Sequence, residues 1–215
     1  MKIVRVILAF VIVVFTTMRM KAQNTSDSFL PVVSATKMNI LYAGLPNPVA
    51  IAVPGYKSED LQVSISNGNI TEGNLPGEYY VVCPTPGSVA ITISCNGKSL
   101  NRFFRVRRIP DPNPSVGSTS PYEEIAKNSL VNNAIVAKLG NFDFDVRFVV
   151  EGFTVSIVID GDLKQEHSDK ATFSAAQKAL ILRAPVGSKV FIEDIKVKGP
   201  DEFSRILPPI WYILK

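Results

Sequence analysis

The chain has 215 residues, 46% of them hydrophobic, and carries 23 basic against 19 acidic side chains for a formal net charge of +4. Lys2, Arg5, Arg19 and Lys21 precede residue 23 and no acid does, so the remainder holds 19 of each sign and lacks the basic excess of a nucleic-acid-binding surface. Its length suits one large domain or two small ones.

Lys2 and Arg5 lead into an apolar run at 6–15, ten residues long, which is followed by Lys21, Ala22 and the polar stretch 24–27. Basic start, short apolar core and small residue form the pattern of a secretory signal peptide, and the core is well short of the roughly 20 apolar residues of a membrane-crossing helix. Residues 1–22 are therefore expected to be cleaved after Ala22. The product is expected to be exported, periplasmic or beyond, without membrane insertion. No cysteine follows the site closely enough to indicate a lipid anchor.

Residues 29–109 contain the short apolar runs FLPVV, MNILY, PVAIAV, LQVSIS, EYYVV, SVAITISC and LNRFFRV, each predicting a strand. Alternation puts Val49, Ile51 and Val53 on one face, Leu61, Val63 and Ile65 on another, and Val89, Ile91 and Ile93 on a third. Turn signals separate the runs at Pro54-Gly55, Asn67-Gly68, Pro76-Gly77, Pro86-Gly87 and Asn96-Gly97. An immunoglobulin-like β-sandwich is expected, with no long helix. Export permits a disulfide between Cys83 and Cys95. If 79–83 and 88–95 pair as a hairpin around Thr85 and Pro86, the two lie beyond bridging reach; strands in different sheets leave the bridge open. Arg102, Arg105, Arg107 and Arg108 crowd the last strand. They read either as a docking patch or as the charged, solvated side of a strand whose Phe104 and Val106 point inward.

The segment 110–119 reads as a proline-rich linker, with prolines at 110, 112 and 114. Residues 120–215 then form a second β-rich domain with one or two helices, so the fold class is mainly β. Ser120, Pro121 and Glu123 predict a capped helix running to Leu139 and stopped by Gly140. The alternating FDFDVRFVV predicts a strand with Phe142, Phe144, Val146, Phe148 and Val150 inward. Phe153, Val155, Ile157 and Ile159 predict the next, ending at a hairpin turn of Asp160-Gly161-Asp162. Ser174 caps a short helix through Leu182. In KVFIEDIKVK the inward set shifts from Val190 and Ile192 to Ile195 and Val197, which predicts a bulge near Glu193 and Asp194. IWYIL, holding the sole tryptophan, Trp211, predicts a buried last strand.

Little in the chain suggests catalysis. The one histidine, His167, falls in the polar stretch GDLKQEHSDK, expected as an exposed loop, with no cysteine or second histidine at metal-ligand spacing. Asp143 with Asp145, Asp160 with Asp162, and Glu193 with Asp194 are acidic pairs. On a strand the first pair shares a face that could meet a cation or a glycosidic bond, yet alternation with phenylalanines marks it as the wet side of a sheet. There is no glycine-rich phosphate loop and no nucleophile elbow. No catalytic residue, metal or cofactor is expected.

The strings KMNILYAGLPNP and RVRRIPDP of the first domain, with NFDFD and VFIEDIKVKGPD of the second, resemble the third and C-terminal periplasmic domains of the GldM/PorM family of gliding motility and type IX secretion. The resemblance covers nearly all of the chain after the signal peptide. It implies immunoglobulin-like domains in a homodimeric periplasmic arm that reaches from an inner-membrane motor to outer-membrane-associated partners, and it supplies no catalytic residues. Full-length members carry a transmembrane motor helix, a helical bundle and a further domain where this sequence has a signal peptide. The expected function is that of a non-catalytic scaffold or adaptor with cell-envelope partners; the alternative is an exported carbohydrate-binding module.

Overall fold

A computed structural model describes residues 38–215. The signal peptide expected at 1–22 and the strand expected at 29–33 lie outside the described residues. The N-terminal part consists of β1 (Ile40–Tyr42), β2 (Asn47–Ala50), β3 (Gln62–Ile65), β4 (Asn69–Glu72), β5 (Glu78–Val82), β6 (Gly87–Cys95) and β7 (Lys98–Arg107). These form two sheets, ordered β1-β7-β6-β3 and β2-β5-β4. Alternate side chains, among them Leu41, Val81, Val89, Ile91 and Val106, are buried between them, as the two-residue period of a strand requires. The first strand beside the last, with the second, fifth and fourth opposite, is the immunoglobulin-like arrangement. β6 and β7 join through Asn96 and Gly97, both at positive φ (47° and 72°), as a two-residue hairpin of this twist demands.

One detail differs from the sequence reading. β4 has no counterpart among the expected strands, because Ile70 is its only large apolar residue and one such residue makes no alternation. Of the two arrangements left open for β5 and β6, the structure has the second: they belong to different sheets and do not pair as a hairpin. Pro84 and Pro86 flank Thr85 and deny a tight antiparallel turn its amide donors.

The C-terminal domain is built on β8 (Asn113–Val116), β9 (Glu124–Ile125), β10 (Ile135–Lys138), β11 (Val149–Ile159), β12 (Asp162–Ser168), β13 (Lys189–Lys198), β14 (Ser204–Leu207) and β15 (Ile210–Leu214), with helices α1 (Lys127–Asn132) and α2 (Ala175–Arg183). Five of these strands line up as β12-β11-β13-β15-β9, and β14 pairs the second half of β13. Pro208 and Pro209 separate β14 from β15, since neither can donate to the ladder they interrupt. The bulge on β13 occurs as expected: Thr154 pairs with Glu193 and Gly152 with Lys196, and Asp194 takes a φ of +50°. One consequence is that Val190, Ile192, Ile195 and Val197 all reach the core, each with no exposed surface. α2 begins at the predicted cap, Ser174, which exchanges hydrogen bonds with Gln177. Gln177, fully buried, also donates to the carbonyls of Phe153 (3.2 Å) and Glu166 (3.1 Å), tying the helix to β11 and β12.

Four expectations for this half are corrected. The linker 110–119 contains a strand, Asn113–Val116: β8 pairs with β10, and Val116 sits in the domain core, where its N–H donates to the buried Tyr212 hydroxyl. The helix expected over 120–139 shrinks to the six residues of α1, because Tyr122 takes a φ of +73° that a helix does not accept, and 135–138 bury alternate residues as a strand. The expected strand 142–150 starts at Val149; residues before it keep the alternation of exposure but join no sheet. His167 lies in β12 rather than in a loop, paired with Thr154 on β11.

Candidate functional site at the junction of the two domains

The contacts between the two domains gather where β7 runs into β8. Residues 108–112 connect the two domains there, and groups from three separate stretches close around them. The first stretch is the turn 42–47. Buried Asn47 shapes it: its Oδ1 accepts from the Tyr42 N–H at 2.7 Å, while its Nδ2 donates to the carbonyls of Leu45 (2.8 Å), Tyr42 (2.9 Å) and Val81 (3.0 Å). Every polar atom of the amide is thereby used, which makes a buried asparagine tolerable. The turn so fixed places Gly44, at a φ of +74°, against the backbone of Asp201.

The second stretch is the turn 199–205. Asp201 and Arg205 form an ion pair whose carboxylate side chain has no exposed surface and whose guanidinium is 9% exposed. Arg205 donates from Nη1 to Asp201 (3.0 Å) and to the Phe203 carbonyl (2.9 Å). It also reaches the connector, pairing with Asp111 at 2.9 Å through Nε and donating to the Ile109 carbonyl at 3.3 Å. The bond to Asp201 raises the pKa of the guanidinium above its ordinary value, with the Asp111 charge a smaller contribution. Arg108 of the connector lies over the Phe203 ring, 4.3 Å from its centroid, a cation–π contact in the reverse direction.

The third stretch is 142–148. Phe142 and Phe144 meet Tyr42 edge to face, with centroids 4.8 and 5.6 Å apart, and Phe148 lies under the Arg205 guanidinium at 5.4 Å. Such ring pairs add about 1 kcal/mol beyond the area they bury. Phe142 and Phe144, read as part of a strand, are thus drawn to the other domain. Leu45 and Ile109, in neither domain's core, are buried here as well.

The residues singled out on sequence scatter away from this place or serve local roles. Asp143 and Asp145 are exposed and stand apart from any group of metal-ligating side chains among the described residues. Asp160 and Gly161 make the expected hairpin turn, both at positive φ, and Asp162 pairs with Lys164 at 3.0 Å. Exposed His167 contacts Thr154 (3.1 Å) and Asp169 (3.2 Å). Trp211 is half-buried on the outer face of the sheet, not in the core; Lys189 lies 3.7 Å over its ring and Tyr122 meets it edge to face. Of the arginine cluster, Arg108 stacks on Phe203 at the junction, and the Arg107 carbonyl accepts from the Ala43 N–H of the turn 42–47 at 2.9 Å.

Cys83 and Cys95 are free thiols at opposite ends of the sandwich. The Cys83 carbonyl accepts from Gly44 at the junction end, level with the start of β6, whereas Cys95 ends that strand. Eight residues of strand separate those levels, roughly 26 Å at about 3.3 Å each, far outside disulfide geometry. Burial raises the Cys83 pKa. In the folded chain an aromatic disulfide reagent is expected to titrate Cys95 promptly and Cys83 at least about a hundredfold more slowly, the two rates merging in denaturant. Equal rates without denaturant would contradict this burial.

The geometry is paralleled by comparison with known families. Residues 31–107 match the GldM third domain and residues 110–215 the GldM C-terminal domain. The chain belongs to the GldM family. It thereby shares the domains of a structural component related to gliding motility and type IX secretion. The two GldM matches meet within the connector that Arg205 holds. No curated protein matches the chain in sequence. Among solved structures, the Yersinia pseudotuberculosis adhesin InvE is similar at 10% identity and a TM-score of 0.26, over 81% of this chain and 56% of the adhesin, so the chain spans little more than half of that protein. Human protocadherin-24 EC1-2 is similar at 14% identity and a TM-score of 0.26, over 82% of this chain and 92% of that one. No helix of the described residues is long and apolar enough to cross a membrane.

Proposed function

We propose that this GldM-family chain is a non-catalytic scaffold of the cell envelope, exported to the periplasm by a signal peptide at 1–22 and acting through contacts with components of type IX secretion and gliding. The observation that supports the reading is the junction. A buried ion pair, a connector gripped from the side and interlocking rings hold two β domains in one fixed relation, which is what a part that passes position or force between neighbours needs and what a free tether lacks. Self-association into a homodimer belongs to the same reading.

The test is capture of envelope proteins by a tagged chain beginning at Gln23, with N-terminal sequencing of the product secreted by its own leader. Enrichment of type IX components and a product starting at Gln23 are expected. A polysaccharide as the sole specific ligand, or a product that keeps its leader, would overturn the proposal.

A further inference from the structure

One flank of the C-terminal domain carries backbone with no partner. In the β8–β10 pair, Pro114 lies opposite Ala137 and has no N–H to give, and Val116, opposite Ile135, turns its N–H away to Tyr212. Ile135 and Ala137 therefore occupy positions that do not bond across this pair. The Ile135 N–H accordingly points the other way, to the Ala171 carbonyl at 2.8 Å. By the same alternation the N–H and C=O of Ala137 also point away from β8, and neither has a partner among the described residues. Across from this edge the segment 143–148, whose exposure alternates, makes no backbone–backbone hydrogen bond among the described residues.

A groove of about 630 Å³ separates the two, lined by Ala137, Leu139, Phe142, Phe144, Val146 and Phe148. It stays open because the junction holds the segment elsewhere, Phe142 and Phe144 on Tyr42 and Phe148 under Arg205. Its rim is charged in order. Asp143 and Asp145 are exposed toward the turn end of the segment, and Arg147 is exposed further along.

We propose that this groove takes up an extended segment of a partner protein, which adds as a strand to the free edge of β10. The incoming segment carries apolar residues at every second position to cover the phenylalanines. Between them it has basic residues where it meets Asp143 and Asp145, and an acidic one where it meets Arg147. Unpaired strand edges are templates for such addition, and main-chain bonds then supply affinity while alternate side chains supply specificity. The proposal rests on the scaffold reading and names the kind of partner it uses.

The test uses the whole mature chain and a synthetic peptide of alternating valine and charged residues, lysines in one half and glutamate in the other. Binding is expected to slow hydrogen exchange at the Ala137 amide and across 143–148. Ala137→Pro removes the N–H that the free edge of β10 offers at Ala137 and leaves the β8 bonds intact; it is expected to weaken binding about tenfold or more. Should that variant fold poorly, the same peptide N-methylated on alternate residues decides with the native chain, and it is expected not to bind. Absence of protection at Ala137, or full binding by the N-methylated peptide, overturns the proposal. Capture of type IX components that survives unchanged in a folded Ala137→Pro chain also overturns the groove assignment and leaves the scaffold reading standing.

Discussion

Replacing Arg205 with alanine is expected to destabilise the described fold by about 3 kcal/mol, lowering Tm by roughly 6–12 °C. The reason is the Asp201 carboxylate, which has no exposed surface and whose only charged partner among the described residues is this guanidinium. Without it the carboxylate keeps one weak bond from the Phe203 N–H at 3.4 Å and pays the full penalty of a buried, uncompensated charge. Removing both charges, as Asp201→Leu with Arg205→Met, is expected to restore most of the loss, because the orphaned charge and not the missing attraction dominates. Thermal and urea unfolding of the three chains checks this. A single variant within about 0.5 kcal/mol of the parent, the range of surface substitutions, would show that the pair does not hold the junction.

Gly44→Ala is the second large effect expected. An added Cβ would stand 2.5 Å from the Asp201 Cα and 2.9 Å from the Pro200 carbonyl oxygen, both backbone atoms that no rotamer change can move aside. The left-handed φ adds its own cost of about 1 kcal/mol. Gly97→Ala separates the two contributions: it has nearly the same φ, +72°, with nothing within 4 Å of its Cβ. Gly44→Ala is expected to exceed that control by about 2 kcal/mol, in the range of overpacking a close contact. It is also expected to expose residues 108–112 to trypsin at Arg108 under native conditions. Equal losses in the two variants, with no new cleavage, would mean that the turn 42–47 does not bear on Asp201 in solution.

Strands with alternation and marked turns were legible from sequence: β6, β11 and β15 among them, β13 on either side of its bulge and β7 in its last residues Phe104 and Val106, and Ser174 announced α2. What misled were residues whose partner lies in the other domain. Phe142 and Phe144 alternate as a strand should, yet their rings are claimed by Tyr42, and periodicity along one segment carries no information about that. The proline-rich stretch looked like a tether because Pro110, Pro112 and Pro114 each forbid an amide bond on one side. The structure uses that property, leaving Pro114 at a non-bonded position of the β8–β10 pair. The stretch expected as one helix to Leu139 joins the short α1 to the strand β10, and the cap signal at Ser120 says nothing of where the period changes. The junction itself was invisible for a simpler reason. Asp201 and Arg205 sit beside an exposed-looking Gly-Pro turn, and nothing local reveals that a carboxylate there is buried.

The Arg205 contacts bear on how such proteins diversify. One side chain from the second domain answers to Asp111 in the connector, while Gly44 from the first must leave room for Asp201. A gene that exchanged only one of its two halves with a relative would inherit a mismatched seam unless positions 44, 111, 201 and 205 suited each other across the crossover. Natural hybrids between lineages should therefore carry both halves from one parent, or have their breakpoints outside 44–205.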